Sequence, residues 1–125
     1  MAERILIVDD ERDLVFAAKL FLETEGFAVA GAYDGHEAVA LLGGEGVLPD
    51  LVLLDVYMPR MSGWDVLRTI RSSERTQDLP VIMLTGADQP VDQARGWDLG
   101  VDWYQTKPFN MDDLLTIIRR VLATR

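Results

Sequence analysis

The chain has no cysteine and a single histidine, His36. The first absence excludes a disulfide framework and a thiolate metal site, and it points to a cytoplasmic protein. His36 falls early in a helical stretch, where a solvated side chain is the expected state, so it is a poor candidate for a phosphohistidine or a metal ligand. Long hydrophobic runs are also missing: none approaches the roughly 18 residues of a membrane span, and no charged segment followed by a long apolar one opens the chain. Neither a membrane helix nor a signal peptide is expected. Positive charge is in short supply, with 12 Lys and Arg against 21 Asp and Glu and a formal net charge of −9. Such a field repels nucleic acid and anionic membrane, so any DNA binding would have to come from another domain. With no linker, repeat or low-complexity stretch, residues 1–125 are expected to form one domain.

What the sequence does contain is a set of short apolar runs, each ending in a polar group. Ile5-Leu6-Ile7-Val8 leads into Asp9-Asp10, Leu51-Val52-Leu53-Leu54 into Asp55, Val81-Ile82-Met83-Leu84 into Thr85, and Trp103-Tyr104-Gln105-Thr106 into Lys107. Continuous apolar runs of this length are the pattern of strands buried on both faces of a parallel sheet. A further strand is expected over residues 27–33.

Helical patterns lie between the strands. Leu14, Ala18, Phe21 and Leu22 form one stripe, closed by Gly26. Asp34 and Glu37 have capping-box spacing ahead of Ala38, Leu41 and Leu42, and Gly43-Gly44 ends that helix. Ser62 caps a third helix carrying Val66, Leu67 and Ile70 and ending near Ser72. Pro90 suits the first turn of a fourth, with Val91, Ala94 and Trp97, closed by Gly100. Asn110 caps a fifth containing Met111, Leu114, Leu115, Ile118, Val121 and Leu122. Trp64, Trp97 and Trp103 are expected in the core or at its edge, and Arg119, Arg120 and Arg125 suit the negative end of the last helix. Strict alternation predicts an α/β fold, a flavodoxin-like doubly wound sandwich with a parallel five-stranded sheet of order 2-1-3-4-5.

That order brings Asp9, Asp10 and Asp55 into one crevice outside the carboxyl ends of the strands, with Thr85 and Lys107 alongside. Crowded carboxylates raise one another's pKa unless a cation intervenes. An all-oxygen donor set without His or Cys points to Mg²⁺, while Lys107 and Thr85 supply a charge and a donor for a phosphoryl group. Asp55 lies between the two and can act as a nucleophile, forming an aspartyl phosphate. Each residue alone has an ordinary use: Asp as a helix cap, Asp55 or Thr85 in a turn, and Lys107 on the surface; Glu11 could add negative field near the cation, but an acid in a first helical turn is its expected use. Jointly, those uses would have to place every residue at a strand's carboxyl end by coincidence.

The chain resembles the receiver domains of two-component response regulators, in particular the stand-alone chemotaxis type. The resemblance covers the whole chain and rests on Asp9-Asp10, on Asp55-Val56-Tyr57-Met58-Pro59 with Gly63, on Thr85-Gly86-Ala87, and on Tyr104 ahead of Lys107-Pro108-Phe109. It implies that Asp55 takes a phosphoryl group from a sensor histidine kinase or phosphotransfer protein. It implies that Asp10, Asp55 and the main-chain carbonyl of Tyr57 ligate Mg²⁺, with Asp9 acting through water. Lys107 and Thr85 would hold phosphate oxygens, Tyr104 would swing inward with Thr85, and the Lys107-Pro108 bond would be cis. The implied output is the surface of the fourth helix, fifth strand and fifth helix, read by a downstream domain or protein; a phosphorylation-dependent homodimer is open. Such a domain is a phosphoacceptor that assists its own phosphorylation and slow dephosphorylation, and is not otherwise an enzyme. Gly86 stands where many relatives carry Ala, making that loop more permissive, and Tyr57 is bulky enough to screen the acyl phosphate from water.

Two other classes share parts of this picture. A flavodoxin-like electron carrier would need a hydroxyl- and glycine-rich phosphate loop where this chain has Asp9-Asp10-Glu11. A metal-dependent phosphatase with an aspartyl nucleophile would carry a second acid at the position of Tyr57 and a cap segment, and neither is present in the sequence.

Overall fold

The computed structural model describes residues 2–86 and 93–124. Strands β1 (Arg4–Val8), β2 (Ala28–Ala32), β3 (Leu51–Asp55), β4 (Val81–Gly86) and β5 (Trp103–Lys107) alternate with helices α1 (Arg12–Thr24), α2 (Gly35–Gly43), α3 (Gly63–Ser72), α4 (Gln93–Asp98) and α5 (Met111–Ala123). The sheet is parallel throughout, in the order β2-β1-β3-β4-β5. The fold expected from the alternation of patterns is therefore the fold observed.

Two hydrophobic layers sandwich the sheet. Leu6, Val8, Val52, Leu54, Val81 and Met83 point to one face, against Ala38 and Leu42 of α2 and Val66, Leu67 and Ile70 of α3. Ile5, Ile7, Leu51, Leu53, Ile82 and Leu84 point to the other, against Val15, Ala18 and Leu22 of α1 and Leu114, Ile118 and Val121 of α5. Successive strand side chains alternate between faces. With both faces covered, β1, β3 and β4 are apolar at nearly every position.

Helix ends follow their side-chain chemistry. The Asp34 carboxylate accepts from Glu37 N, Ser62 and Asp65 form a reciprocal capping box, and Asn110 Oδ1 accepts from Asp112 N. Gly26 and Gly100 take positive φ of 97° and 74° after α1 and α4.

Several expectations are corrected. The run in β5 is not buried on both faces, because β5 is an edge strand and Trp103 is exposed. Trp97 is exposed as well, and of the three tryptophans only Trp64 is buried. Leu41 points to solvent, leaving Ala38 and Leu42 to pack. The buried stripe of α1 is Val15, Ala18 and Leu22, with Leu14 and Phe21 half-buried beside it. β2 is shorter than 27–33, since Phe27 and Tyr33 lie just outside its ladder. The expectations for Ala87, Pro90, Val91, Arg125 and the burial of Ala94 lie outside the described residues. No helix among the described residues is long and apolar enough to cross a membrane.

Candidate functional site

Strand register assembles the site. Val8 pairs with Leu54 and Asp55 with Leu84, while Thr85 and Gly86 pair with Thr106 and Lys107. Asp9 follows β1 directly, tied to the sheet by its N–H donating to Ala32 O at 3.0 Å. The chain therefore delivers Asp9, Asp55, Thr85 and Lys107 to one edge of the sheet, and Asp9, Asp55 and Thr85 are buried there. Asp10 is exposed at the mouth, yet Asp9, Asp10 and Asp55 each offer a carboxylate oxygen within 4.8 Å of the others.

One ammonium faces several acids. Lys107 Nζ lies 2.7 Å from Asp9 Oδ2, 2.8 Å from Glu11 Oε1 and 3.7 Å from Asp55 Oδ2. Its aligned hydrogen bond goes to Glu11. The Asp9 contact is close in distance but off hydrogen-bond angle, so among the described residues the fully buried Oδ2 pairs by charge and has no aligned donor. Asp9 Oδ1 accepts from Glu11 N at 2.9 Å, and Asp55 Oδ1 accepts from Tyr57 N at a long 3.4 Å.

Burial first and the Asp9 charge second raise the Asp55 carboxyl, Lys107 offsets part of the rise, and the net position is about 7. Asp9 is raised too, first by burial, against the pull of Lys107. Burial works to lower Lys107, but its contacts with Asp9 and Glu11 outweigh that and hold it above the ordinary lysine value. Negative charge is under-compensated here. An all-oxygen donor set with an unsatisfied buried carboxylate oxygen suits a hard divalent cation, and Asp9, Asp10 and Asp55 could hold one.

The loop after β3 is shaped around Asp55. Gly63 N donates to Val56 O at 2.8 Å. A Cβ on Gly63 would overlap the Asp55 carbonyl oxygen and lie 2.9 Å from Val56 Cα, so only glycine lets α3 start this close to the strand. Arg60, in the same loop, adopts φ 67°. Tyr57 is exposed beside Asp55, and the Lys107-Pro108 peptide is cis. Tyr104 is half-buried on β5, on the α3 and α4 side of the sheet. His36 is exposed and stands apart from the acids on α2.

The sequence points only weakly to one further contributor and not at all to the others. Glu11 is the N-cap residue of α1 but makes no side-chain cap; its carboxylate reaches Lys107 instead. The only sequence signal for this was its place directly after the acidic pair. Arg71 donates to the carbonyls of Leu99, Gln77, Leu79 and Gly100, joining α3 and the loop before β4 to the end of α4. Asp102 Oδ2 accepts from Val81 N at 2.8 Å, fixing the start of β4.

The family model for the response regulator receiver domain matches residues 5–119. The chain is 44% identical over 119 residues to the transcriptional regulatory protein CpxR of Klebsiella pneumoniae, covering 95% of this chain and 49% of the relative. It is 40% identical over 119 residues to the DNA-binding dual master transcriptional regulator RpaA of Synechocystis, covering 95% and 48%. The chain thus spans about half the length of these curated relatives. Among solved structures it is similar to the chemotaxis protein CheY4 of Vibrio cholerae, with TM-score 0.88, 30% identity and coverage of 97% and 99%. A CheY-like receiver domain protein from Methanospirillum hungatei gives TM-score 0.89, 31% identity and coverage of 99% and 96%.

Proposed function

The chain belongs to the response regulator receiver family, and from that premise we propose that it is a phosphorylation switch whose acceptor is Asp55. The observation that carries the proposal is the placement of Asp55: a buried carboxylate at the sheet edge, between an acidic cluster suited to a cation and the Lys107 ammonium. A phosphohistidine of a sensor kinase or phosphotransfer protein is the donor. An Asp55 carboxylate oxygen attacks the phosphorus, the P–N bond breaks, and its electron pair leaves with the imidazole, giving an acyl phosphate on Asp55. Slow attack by water on that phosphorus breaks the P–O bond to Asp55, releasing inorganic phosphate and returning the carboxylate.

Asp10, Asp55 and the main-chain carbonyl of Tyr57, with Asp9 assisting, would hold Mg²⁺, which would supply charge neutralisation for the transferred group. A neighbouring cation also favours the ionised form of Asp55, which burial otherwise keeps partly protonated near neutral pH. Lys107 exchanges its contacts with Asp9 and Glu11 for phosphate oxygens, and Thr85, buried at the end of β4, donates its hydroxyl. Tyr57, exposed beside the acceptor, screens it from water and lengthens the phosphorylated lifetime.

The signal leaves through α4, β5 and α5, with Tyr104 between the site and the surface. Phosphorylation biases an existing equilibrium between surfaces; a hundredfold shift needs about 2.7 kcal/mol of differential interaction. One or two charge-assisted hydrogen bonds from Thr85 and Lys107 are of that size. The reader of this surface is a partner protein or an output domain, and residues 1–125 act as one receiver unit in the cytoplasm. Incubation with Mg²⁺ and acetyl phosphate tests the proposal: intact wild type gains the mass of one phosphoryl group, and Asp55→Asn gains none. Equal labelling of the two would refute it.

A further inference from the structure

The inner face of α4 meets β5 at a buried glycine. A Cβ on Gly96 would overlap the Tyr104 hydroxyl, lie 2.7 Å from Tyr104 Cζ and 3.2 Å from Val101 Cγ2. The Tyr104 ring also meets Trp97 edge-on, with centroids 5.5 Å apart at 88°, and Trp97 itself is 53% exposed. The phenol therefore occupies a slot whose floor is the missing side chain of Gly96 and whose outer wall is Trp97. The nearest atoms a methyl at 96 would meet belong to side chains and not to backbone. The strain of filling the slot can be relieved by rotating one ring about χ1, without breaking the helix.

We propose that Gly96 is the positioning residue for Tyr104: the absence of a side chain at 96 is what admits the ring beneath Trp97, and a single methyl there drives it out. The consequence for signalling rests on Tyr104 being the residue that reports phosphorylation. With the slot filled, the ring holds one position whether or not Asp55 carries phosphate, so Asp55 still accepts the group but the α4–β5 surface no longer answers.

The protein has three tyrosines, Tyr33, Tyr57 and Tyr104. Fluorotyrosine labelling therefore gives three fluorine NMR lines, assigned by single Tyr→Phe variants. In Gly96→Ala the Tyr104 line is expected to shift before any phosphorylation and to lose its response to acetyl phosphate and Mg²⁺. The Tyr33 line stays in place and the phosphoryl mass gain persists. Gly→Ala also favours helix intrinsically. Gly96→Ala should accordingly raise Tm in a Tyr104→Ala background and fail to raise it when Tyr104 is present. An unshifted Tyr104 line, or equal Tm changes in the two backgrounds, would overturn the proposal. So would failure of both Gly96→Ala and Gly96→Ala/Tyr104→Ala to fold, because backbone and not the tyrosine would then be the obstacle. Absence of mass gain in wild type would refute the phosphorylation reading alone, since the unphosphorylated Tyr104 line still decides the role of Gly96.

Discussion

Two glycines mark the difference between the acidic half of the site and the tyrosine half. Gly63 is walled in by the backbone of Asp55 and Val56, whereas Gly96 is walled in by the ends of Tyr104 and Val101. Around the first, β1 and β3 are buried and lead into or end in the acids; around the second, β5 is half-exposed and carries aromatics. The lesson is mechanical. Where the covalent chemistry is proposed, the structure has no slack, and where a change must become visible to another molecule, the packing can give way.

The largest effect that would sharpen this contrast is Asp55→Asn, expected to abolish labelling by acetyl phosphate with the fold kept. Intact mass and circular dichroism check both halves of that statement, and residual labelling at another residue would break it.

Next is Gly63→Ala. A methyl pressed against backbone has no side chain to displace, so a loss of about 3 kcal/mol or more is expected in urea unfolding. A loss under about 1 kcal/mol would show that this half is softer than described.

A third prediction concerns pH. Asp55 has its pKa raised from 3.8 to about 7 in the folded state, so the folded protein binds that proton more tightly than the unfolded chain. Unfolding free energy without divalent cation should therefore fall as pH rises from about 4 to about 7, and then level off. In Asp55→Asn that part of the slope disappears, making the variant more stable than wild type at neutral pH by about 1–2 kcal/mol. Added Mg²⁺ should narrow the gap. A wild-type curve parallel to that of the variant would contradict the buried-charge account.

Thr85→Ala should leave phosphorylation of Asp55 intact while the Tyr104 fluorine line stops responding to it. A preserved response would route the signal around β4. The smallest effect is expected for Glu11→Gln. The Glu11 side chain is 63% exposed, and its pair with Lys107 is worth about 1 kcal/mol or less. Its loss should nonetheless free Lys107 for incoming phosphate and raise the rate of labelling by a few-fold, measured by a mass time course. A slower rate would mean that Glu11 orients Lys107 instead of competing for it.

Legibility in the sequence followed burial. β1, β3 and β4 could be read as uninterrupted apolar runs because helices cover both their faces, and their register then carries Asp9, Asp55 and Thr85 to one edge. β5 reads much the same, yet its aromatics stand at the sheet's margin, where composition cannot separate a core ring from a surface one. Trp103 lies outside the core for that reason, and Trp97 is exposed on α4. The contacts that define the site's electrostatics were less accessible still. Glu11 and Lys107 are 96 residues apart, and Arg71 is 28 from Leu99, so no local pattern announces either pairing.

The Arg71 fork has a consequence for how a disturbance travels. One guanidinium clasps Leu99 and Gly100 beyond α4 together with Gln77 and Leu79 ahead of β4. On the proposed signalling route, a rod pinned at its tail can pivot but cannot slide away, so an impulse beginning at the sheet's acidic rim would arrive outside as a swing of α4 about this clasp. Cutting the clasp would let the rod wander, and the message would blur even though its writing were untouched.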